Sequence, residues 1–217
     1  MRERLISVVI PTLNATNAFS ATLDSVNDAD EVVVVDGGSH DGTPALAASK
    51  GARVVHAPRG RGLQLAEGVA VATGEWLLLL HGDTRLAAGW RKSLPPKECA
   101  GYFRFALDSD DRRARRLERL VAWRCRLFAL PYGDQGLLIH RDLLRQVGGI
   151  RPLPLMEDVD LVRRIGRRRL VPLDVAAVTS AEKWHRQGWY WRSLRNIGCL
   201  MLYFAGVPPR TIARLYG

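Results

Sequence analysis

The first 80 residues alternate short apolar runs with stretches of helical composition. The runs, rich in β-branched residues or leucine, lie at 7–10, 31–35, 53–56 and 76–80. The helix-compatible stretches between them lie at 17–26, 43–50 and 62–72. Strands buried on both faces read as continuous apolar runs, and parallel strands require a helical crossover. The alternation therefore predicts an α/β fold with a mainly parallel central sheet flanked by helices.

Polar residues stand where three of these predicted strands end. They read PTLN at 11–14, DGGS at 36–39 and HGDT at 81–84. In open α/β sheets, ligands bind outside the carboxyl ends of the strands. We therefore expect a ligand site there, and its carboxylates suit a hard divalent cation or the donor groups of a base or sugar.

Several common nucleotide and metal motifs are missing from the sequence. The glycines after the second strand do not form GxGxxG, and no GxxxxGK[ST] motif occurs, which disfavours a dinucleotide-dependent dehydrogenase and a P-loop NTPase. No HExxH motif or Cys/His spacing of a zinc site is present. The three cysteines form no CxxC pair, which is typical of a reducing compartment.

The second half of the chain does not continue the regular alternation of strands and helices. It contains an alternating strand at 101–107, a basic helix at 110–130, a short helix at 141–147 and a later helix opened by Glu157 and Asp158. We divide the chain into one domain, residues 1–175, and an aromatic, basic helical tail, residues 176–217, which we expect to pack near the active-site cleft.

The formal net charge of +10 favours an anionic partner, although a solvated helix face is the alternative for each arginine run. No secretion signal is visible. The longest apolar stretches, 76–80 and 197–207, fall short of the ~20 residues that cross a bilayer. These features predict a cytoplasmic protein, peripheral on the inner face of the membrane if it meets the membrane at all.

In chain order, the motifs PTLN, DGGSHDGT, HGDT and MEDVDL resemble the family 2 glycosyltransferases of the GT-A fold. The resemblance covers nearly the whole chain and is strongest for a short soluble subgroup with VDGGS, HGD, GDQ and LMED motifs. It implies transfer of a sugar, with inversion, from a UDP- or GDP-linked donor to an acceptor hydroxyl. The acceptor itself is expected to be anionic or lipid-linked.

The resemblance also implies roles for individual residues. Asp158 would be the general base, with Glu157 supporting it, although carboxylates in a first helical turn also suit the helix dipole. Asp83 would join a divalent cation, Mg²⁺ or Mn²⁺, to the diphosphate. The implied nucleotide-sugar residues are Pro11, Thr12, Asn14, Asp36, Gly38, Ser39, Arg61, Gln64 and Asp83.

The sequence departs from the family pattern at several positions. His81 replaces the first aspartate of DxD, and a neutral imidazole is a poorer ligand for Mg²⁺ than a carboxylate. His81 and His185 are therefore uncertain as metal ligands. Residues on the acceptor or sugar side are expected to include Asp134, Gln135 and Trp184.

Two alternatives remain open. A nucleotidyltransferase shares the sheet and a carboxylate metal site, but it gives the helix at Glu157 no obvious role. A basic module that binds anionic membrane or nucleic acid explains the charge, but strand-end carboxylates would repel phosphate, so no specific nucleic acid is expected.

Overall fold

The computed structural model describes residues 5–216. Residues 1–4, part of the segment in which no secretion signal was found, lie outside the described residues, as does residue 217. The strands are β1 (Ile6–Thr12), β2 (Glu31–Asp36), β3 (Arg53–His56), β4 (Trp76–Leu79), β5 (Thr84–Leu86), β6 (Ala100–Asp108), β7 (Leu137–His140) and β8 (Leu170–Ser180). The helices are α1 (Thr16–Asp24), α2 (Thr43–Ser49), α3 (Arg61–Val71), α4 (Arg112–Phe128), α5 (Arg141–Gln146), α6 (Glu157–Ile165), α7 (Glu182–Gln187), α8 (Trp189–Phe204) and α9 (Pro209–Tyr216).

The strands form one eight-stranded sheet in the order β3-β2-β1-β4-β7-β6-β8-β5. The first four strands of that order pair in parallel. β7 then pairs antiparallel with both neighbours, and β8 pairs parallel with β6 and antiparallel with β5. The predicted α/β fold is confirmed, with a parallel half built from the alternating N-terminal segments and a mixed half beyond it.

Helices cover both faces of this sheet. Val8 and Ile10 of β1 join the cluster that packs against α1 and α2, whereas Val9 points to the opposite face, under α3, α5 and α6. This alternation follows from the two-residue period of a strand. α3 lies very close to the sheet, since a Cβ added at Gly68 would stand 2.4 Å from a methyl of Val9.

The predicted tail is joined to the sheet by β8, a strand that the sequence reading missed. The boundary expected after residue 175 falls inside this strand, and the division into 1–175 and 176–217 stays a proposal. At the last residue of β8, the N–H of Ser180 donates to the carbonyl of Asp83, which holds the segment before α7 against the end of the parallel half. Within residues 5–216, no helix is both long and apolar enough to cross a bilayer.

Candidate active site

The ends of β1 and β2 are tied together by an ionised carboxylate. Thr12 and Asp36 are register partners, and Asp36 is almost fully buried. It accepts hydrogen bonds from the N–H groups of Gly38 (3.0 Å) and Ser39 (2.9 Å) and from the Ser39 hydroxyl. Burial acts to raise the pKa of Asp36, but these hydrogen bonds outweigh it and the pKa is lowered. Asp36 therefore shapes the turn that follows β2.

The loops after β1 and β2 also bond to each other. Asn14 has a φ of +50°, donates its N–H to Ser39 Oγ (2.9 Å) and accepts the N–H of His40 (2.9 Å). Asp41 accepts from Thr43 and Thr16, and the Thr43 hydroxyl is the main reason why its pKa falls to about 2. The two loops thus form one preorganised rim.

Gln64, on the first turn of α3, is buried beneath this rim. Its Nε2 donates to the carbonyls of Thr12 (2.8 Å) and Val35 (2.7 Å). A Cβ at Gly37 would lie 3.1 Å from the same nitrogen, so a larger residue there would have to displace the Gln64 side chain. The amide nitrogen of Gln64 therefore joins the backbone of β1 to that of β2, and the nucleotide contact expected for Gln64 stays a prediction.

A cavity of about 480 Å³ opens at this edge of the sheet. Asp36, Gly38 and Ser39 are not among its lining residues and instead support the rim. The predicted residues that line it are Pro11, Thr12, Asn14, Arg61, Gln64 and Asp83. Basic side chains also contribute to the lining, namely Arg59, Arg61, Lys183 and Arg186.

A second cavity of about 150 Å³ lies beside the first, under α6 and α8. Its lining includes the predicted residues Asp134, Asp158 and Trp184. Both cavities are lined by Arg61, His81, Asp83, Ser180 and Lys183. These five residues therefore form a junction between the nucleotide-sized cavity and the smaller one.

The start of α6 places two carboxylates with different surroundings. Glu157 is buried, and Arg61 Nε lies 2.9 Å from its Oε1. Burial raises the pKa of Glu157 to about 7, and the Arg61 charge opposes that rise. Asp158 accepts the N–H of Gly133 on Oδ2 (2.7 Å) and that of Val159 on Oδ1 (2.8 Å), and it lines the smaller cavity. Glu157 thus holds Arg61, whereas Asp158 faces the space where an acceptor could bind.

The GDQ turn before β7 brings a further carboxylate to the smaller cavity. Asp134 Oδ1 is buried and has no hydrogen-bond partner among the described residues. Burial raises the pKa of Asp134 to about 6, and the nearby carboxylates Asp158 and Asp83 add to the effect. A buried acceptor atom without a donor costs free energy unless a ligand supplies one. Asp134 is therefore suited to accept a hydrogen bond from a bound hydroxyl.

Gln135, the residue after Asp134, is fully hydrogen-bonded within the protein. Its Nε2 donates to the carbonyl of Phe103 (3.1 Å), and its Oε1 accepts from Arg124 (3.2 Å) and the N–H of Tyr132 (3.3 Å). It is buried and lines neither of the two joined cavities. In the structure the Gln135 side chain fixes the turn that presents Asp134, and the acceptor contact expected for it stays a prediction.

The HGD segment holds one carboxylate that is already paired. Asp83 Oδ2 lies 2.7 Å from Lys183 Nζ. Burial acts to raise the pKa of Asp83, but the charges of Lys183 and His81 outweigh burial, so the pKa is lowered.

His81, two residues earlier, packs against Gly133, where an added Cβ would lie 2.4 Å from the His81 Nε2. Burial together with the charge of Arg61 lowers the pKa of His81 to about 4. The imidazole is therefore neutral at pH 7.

A divalent cation has few ligands at this junction. Among residues 5–216 no group of three or more His, Cys, Asp or Glu side chains could hold a metal. His185 is exposed, lies 3.3 Å from Ser109 Oγ and lines neither joined cavity, so the structure does not place it as a ligand. Asp83 can offer one carboxylate, and a bound diphosphate would have to complete the coordination.

A cation that bound Asp83 would have to compete with Lys183, which gives a testable expectation. Replacing Lys183 by Met removes the ammonium, so added Mn²⁺ should tighten UDP or GDP binding by a larger factor in the variant than in the parent, as measured by calorimetry. Lys50→Met is the matched control, because Lys50 pairs with Asp24 (2.6 Å) on a distant surface. Equal Mn²⁺ effects in parent and variant would contradict the competition.

Three residues at or near the junction were not predicted from the sequence. The sequence analysis did not predict Lys183 as a site residue, and its partner Asp83 is 100 residues away in the chain. The cavity-lining residues Thr179 and Arg192 come from β8 and α8, and no local motif marks them.

Comparisons with known proteins agree with this architecture. Residues 7–96 match the family described as Glycosyl transferase family 2. A PGL/p-HBAD biosynthesis glycosyltransferase of Mycobacterium tuberculosis is 38% identical over 97 residues, which are 40% of this chain and 38% of that protein. A TPR repeat-containing protein of Synechococcus elongatus is 42% identical over 67 residues, 30% of this chain and 17% of that protein. The chain thus spans less than half the length of these curated relatives.

Solved structures extend the similarity to nearly the whole chain. Glucosyl-3-phosphoglycerate synthase of Mycobacterium tuberculosis, crystallised with Mn²⁺ and UDP-glucose, superposes with a TM-score of 0.64 at 20% identity, covering 95% of this chain and 80% of that one. Its complex with phosphoglyceric acid gives 0.62 at 21% identity, covering 95% and 81%. Residues 7–96 are therefore similar to glycosyl transferase family 2, and the fold of the chain is GT-A.

Proposed function

We propose that this protein transfers a sugar from a nucleoside-diphosphate donor to an acceptor hydroxyl. The observation that carries the proposal is the pair of cavities joined at Arg61, Asp83 and Lys183. The larger one, about 480 Å³, lies within the range of small-molecule sites and stands at the carboxyl ends of parallel strands. The smaller one contains the carboxylates that an attacking hydroxyl would need.

The donor is assigned to the larger cavity, with its diphosphate at the junction. Arg61 and Lys183 stand on both cavities, so their charges can offset the negative charge that grows on the leaving diphosphate. The similar structure that holds UDP-glucose and Mn²⁺ supports a UDP-linked donor, with GDP as the second choice. A cation, Mg²⁺ or Mn²⁺, would be held by Asp83 and would supply further charge neutralisation.

Asp158 is the proposed general base. It would take the proton of the acceptor hydroxyl as the hydroxyl oxygen bonds to the anomeric carbon and the bond from that carbon to the diphosphate breaks. Direct displacement inverts the anomeric configuration. Glu157 is proposed to orient Arg61, since the two are paired at 2.9 Å.

The acceptor is proposed to carry an anionic group near its hydroxyl. Arg61, Lys183 and Arg192 line the smaller cavity together with the carboxylates, so a hydroxyl and a phosphate or carboxylate could both find partners there. Complexes of the structurally similar synthase with phosphoglyceric acid and glycerol 3-phosphate support an acceptor of this type.

Nucleotide binding tests the proposal directly. UDP or GDP should raise the melting temperature, because a ligand at about 100 times its Kd stabilises the folded state by about 2.7 kcal/mol. The double variant Arg59→Ala/Arg186→Ala should bind more weakly, since both side chains line the larger cavity. Arg145→Ala, on α5, is the control and should bind as the parent does. If no nucleoside diphosphate shifts the melting temperature, the donor assignment is wrong, and a basic binding module becomes the better reading.

A further inference from the structure

Helix α4 exposes apolar side chains on the face turned away from its packed side. Ala114, Val121 and Cys125 are buried against β6 and the start of the C-terminal helices. Leu120, Trp123 and Leu127 follow one another at helical spacing on the opposite side, and Trp123 is 58% exposed. Phe128 is exposed beside them and contacts Trp123 edge to face. A soluble helix ordinarily shows charged or polar residues here.

Helix α8 repeats this arrangement over more turns. Its buried residues are Trp189 and Cys199. The exposed apolar residues are spaced by four, three, four and three positions, which keeps them on one face. They are Tyr190, Leu194, Ile197, Met201 and Phe204, with Trp191 adjacent at 76% exposure.

The two helices lie along the same region of the molecule. At their first turns, the guanidinium of Arg113 stands 5.5 Å from the ring of Trp189. At their last turns, Arg167 donates to the carbonyl of Leu127 (2.8 Å) and Arg163 stands 5.0 Å from the ring of Phe204. Arg163 and Arg167 are neighbours on α6 and the short turn after it, so the C-terminal ends of α4 and α8 contact the same segment, while their first turns contact each other.

The charges around these apolar faces are almost all positive. α4 carries seven arginines and one glutamate, and that glutamate, Glu118, is paired with Arg115 (2.6 Å). α8 adds Arg192 and Arg195 and has no acidic residue. Tryptophan, leucine and phenylalanine bordered by arginine are the composition of helices that lie in the interface of an anionic bilayer.

We propose that α4 and α8 together form a surface that docks on an anionic membrane. A second copy of the chain is a poorer partner, because a two-fold dimer through this surface would bring two arginine-rich helices face to face. A membrane supplies both an apolar layer for the tryptophans and anionic headgroups for the arginines.

The inner face of α8 connects this surface to the chemistry. Arg192, Asn196 and Cys199 line the smaller cavity, while the exposed apolar residues from Tyr190 to Phe204 lie on the outer face of the same helix. An acceptor anchored in the membrane would therefore reach the cavity beside α8. This step rests on the proposed function, whereas the docking itself does not.

Vesicle co-sedimentation tests the docking with the full chain. The parent should bind phosphatidylcholine vesicles that contain phosphatidylglycerol, bind pure phosphatidylcholine weakly, and lose affinity as salt is raised. Trp191→Ser/Leu194→Ser should lower binding about 10-fold or more, because two side chains no longer bury apolar surface in the bilayer. Arg112→Glu/Arg116→Glu should lower binding to anionic vesicles alone.

Matched variants and readouts keep the outcomes distinct. Leu5→Ser and Arg145→Glu change an exposed leucine and an exposed arginine elsewhere and should bind vesicles as the parent does. Melting temperature and UDP binding should be unchanged in all four variants. The proposal would be overturned if the parent did not bind anionic vesicles, or if Trp191→Ser/Leu194→Ser bound them as tightly as the parent does. It would also be overturned if light scattering showed that the parent is a dimer and that Trp191→Ser/Leu194→Ser is a monomer. Failure of UDP binding alone would refute the donor assignment and leave the docking intact.

Discussion

Replacing Asp158 by Asn is expected to lower the rate of sugar transfer by about 10²- to 10⁴-fold, the usual cost of losing a general base. UDP binding should be retained, since Asp158 lines the smaller cavity and not the larger one. The amide has one oxygen for the two N–H groups, of Gly133 and Val159, that the carboxylate accepts. A stability loss of about 1–3 kcal/mol is therefore expected as well, and the rate is to be measured well below the melting temperature.

Glu157→Gln is the comparison for that experiment. Glu157 contacts Arg61 and not the smaller cavity, so its amide variant should raise KM for the donor more than it lowers kcat. If both carboxylates served only the helix dipole, each variant would lose roughly 0.3–1 kcal/mol of stability and neither would affect the chemical step selectively. Equal losses of kcat at the two positions would mean that the base is misassigned or shared, and full activity in Asp158→Asn would end its assignment as base.

The parallel half of the fold could be predicted because its signals are local. The apolar runs of β1 to β4 are continuous, and the carboxylates of Glu157 and Asp158 open α6 as the sequence indicates. β8 was missed because Pro172 and Asp174 interrupt its apolar pattern and its pairing with β6 shifts register between Phe103 and Arg104. Pairing and burial within the mixed sheet make this segment a strand although its residue pattern does not indicate one.

The candidate site shows the same division between local and long-range signals. The strand-end motifs predicted a rim, and the structure places Asn14 and Asp36 in it. The polar type of Gln135 suggested a ligand contact, yet its amide is used by the backbone of β6 and the preceding turn. The Lys183 partner of Asp83 depends on how α7 meets the far end of β4, and no spacing in the sequence encodes that contact.

Asp134→Asn should weaken the use of the acceptor more than that of the donor. A charge-assisted hydrogen bond from the acceptor hydroxyl is worth about 1.5–3 kcal/mol, so kcat/KM for the acceptor should fall roughly 10- to 150-fold. In the parent, transfer should decline as the pH drops through about 6, where this carboxylate takes up a proton. The groups facing it are Arg124, Arg61, Asp158 and Asp83, and the variant should lack that part of the acid limb.

The same substitution should stabilise the protein at high pH, which separates a ligand-binding role from a structural one. The folded pKa of Asp134, about 6, lies above the ordinary value of 3.8, so the folded state holds more protons between these values and the free energy of unfolding falls as pH rises through that window. Two pKa units correspond to at most ~3 kcal/mol. Asp134→Asn should therefore melt higher than the parent at pH 8 and show little gain at pH 4.

Asp41→Asn is the control of opposite sign. The pKa of Asp41 is lowered to about 2, so the stabilisation from this carboxylate is present above pH 3.8 and is lost as pH falls, and the variant should melt lower than the parent at pH 8. An Asp134→Asn protein that melts lower at pH 8 and keeps its acceptor kcat/KM would show that this buried carboxylate serves the fold, because a group held for a ligand weakens the empty protein and strengthens only the complex.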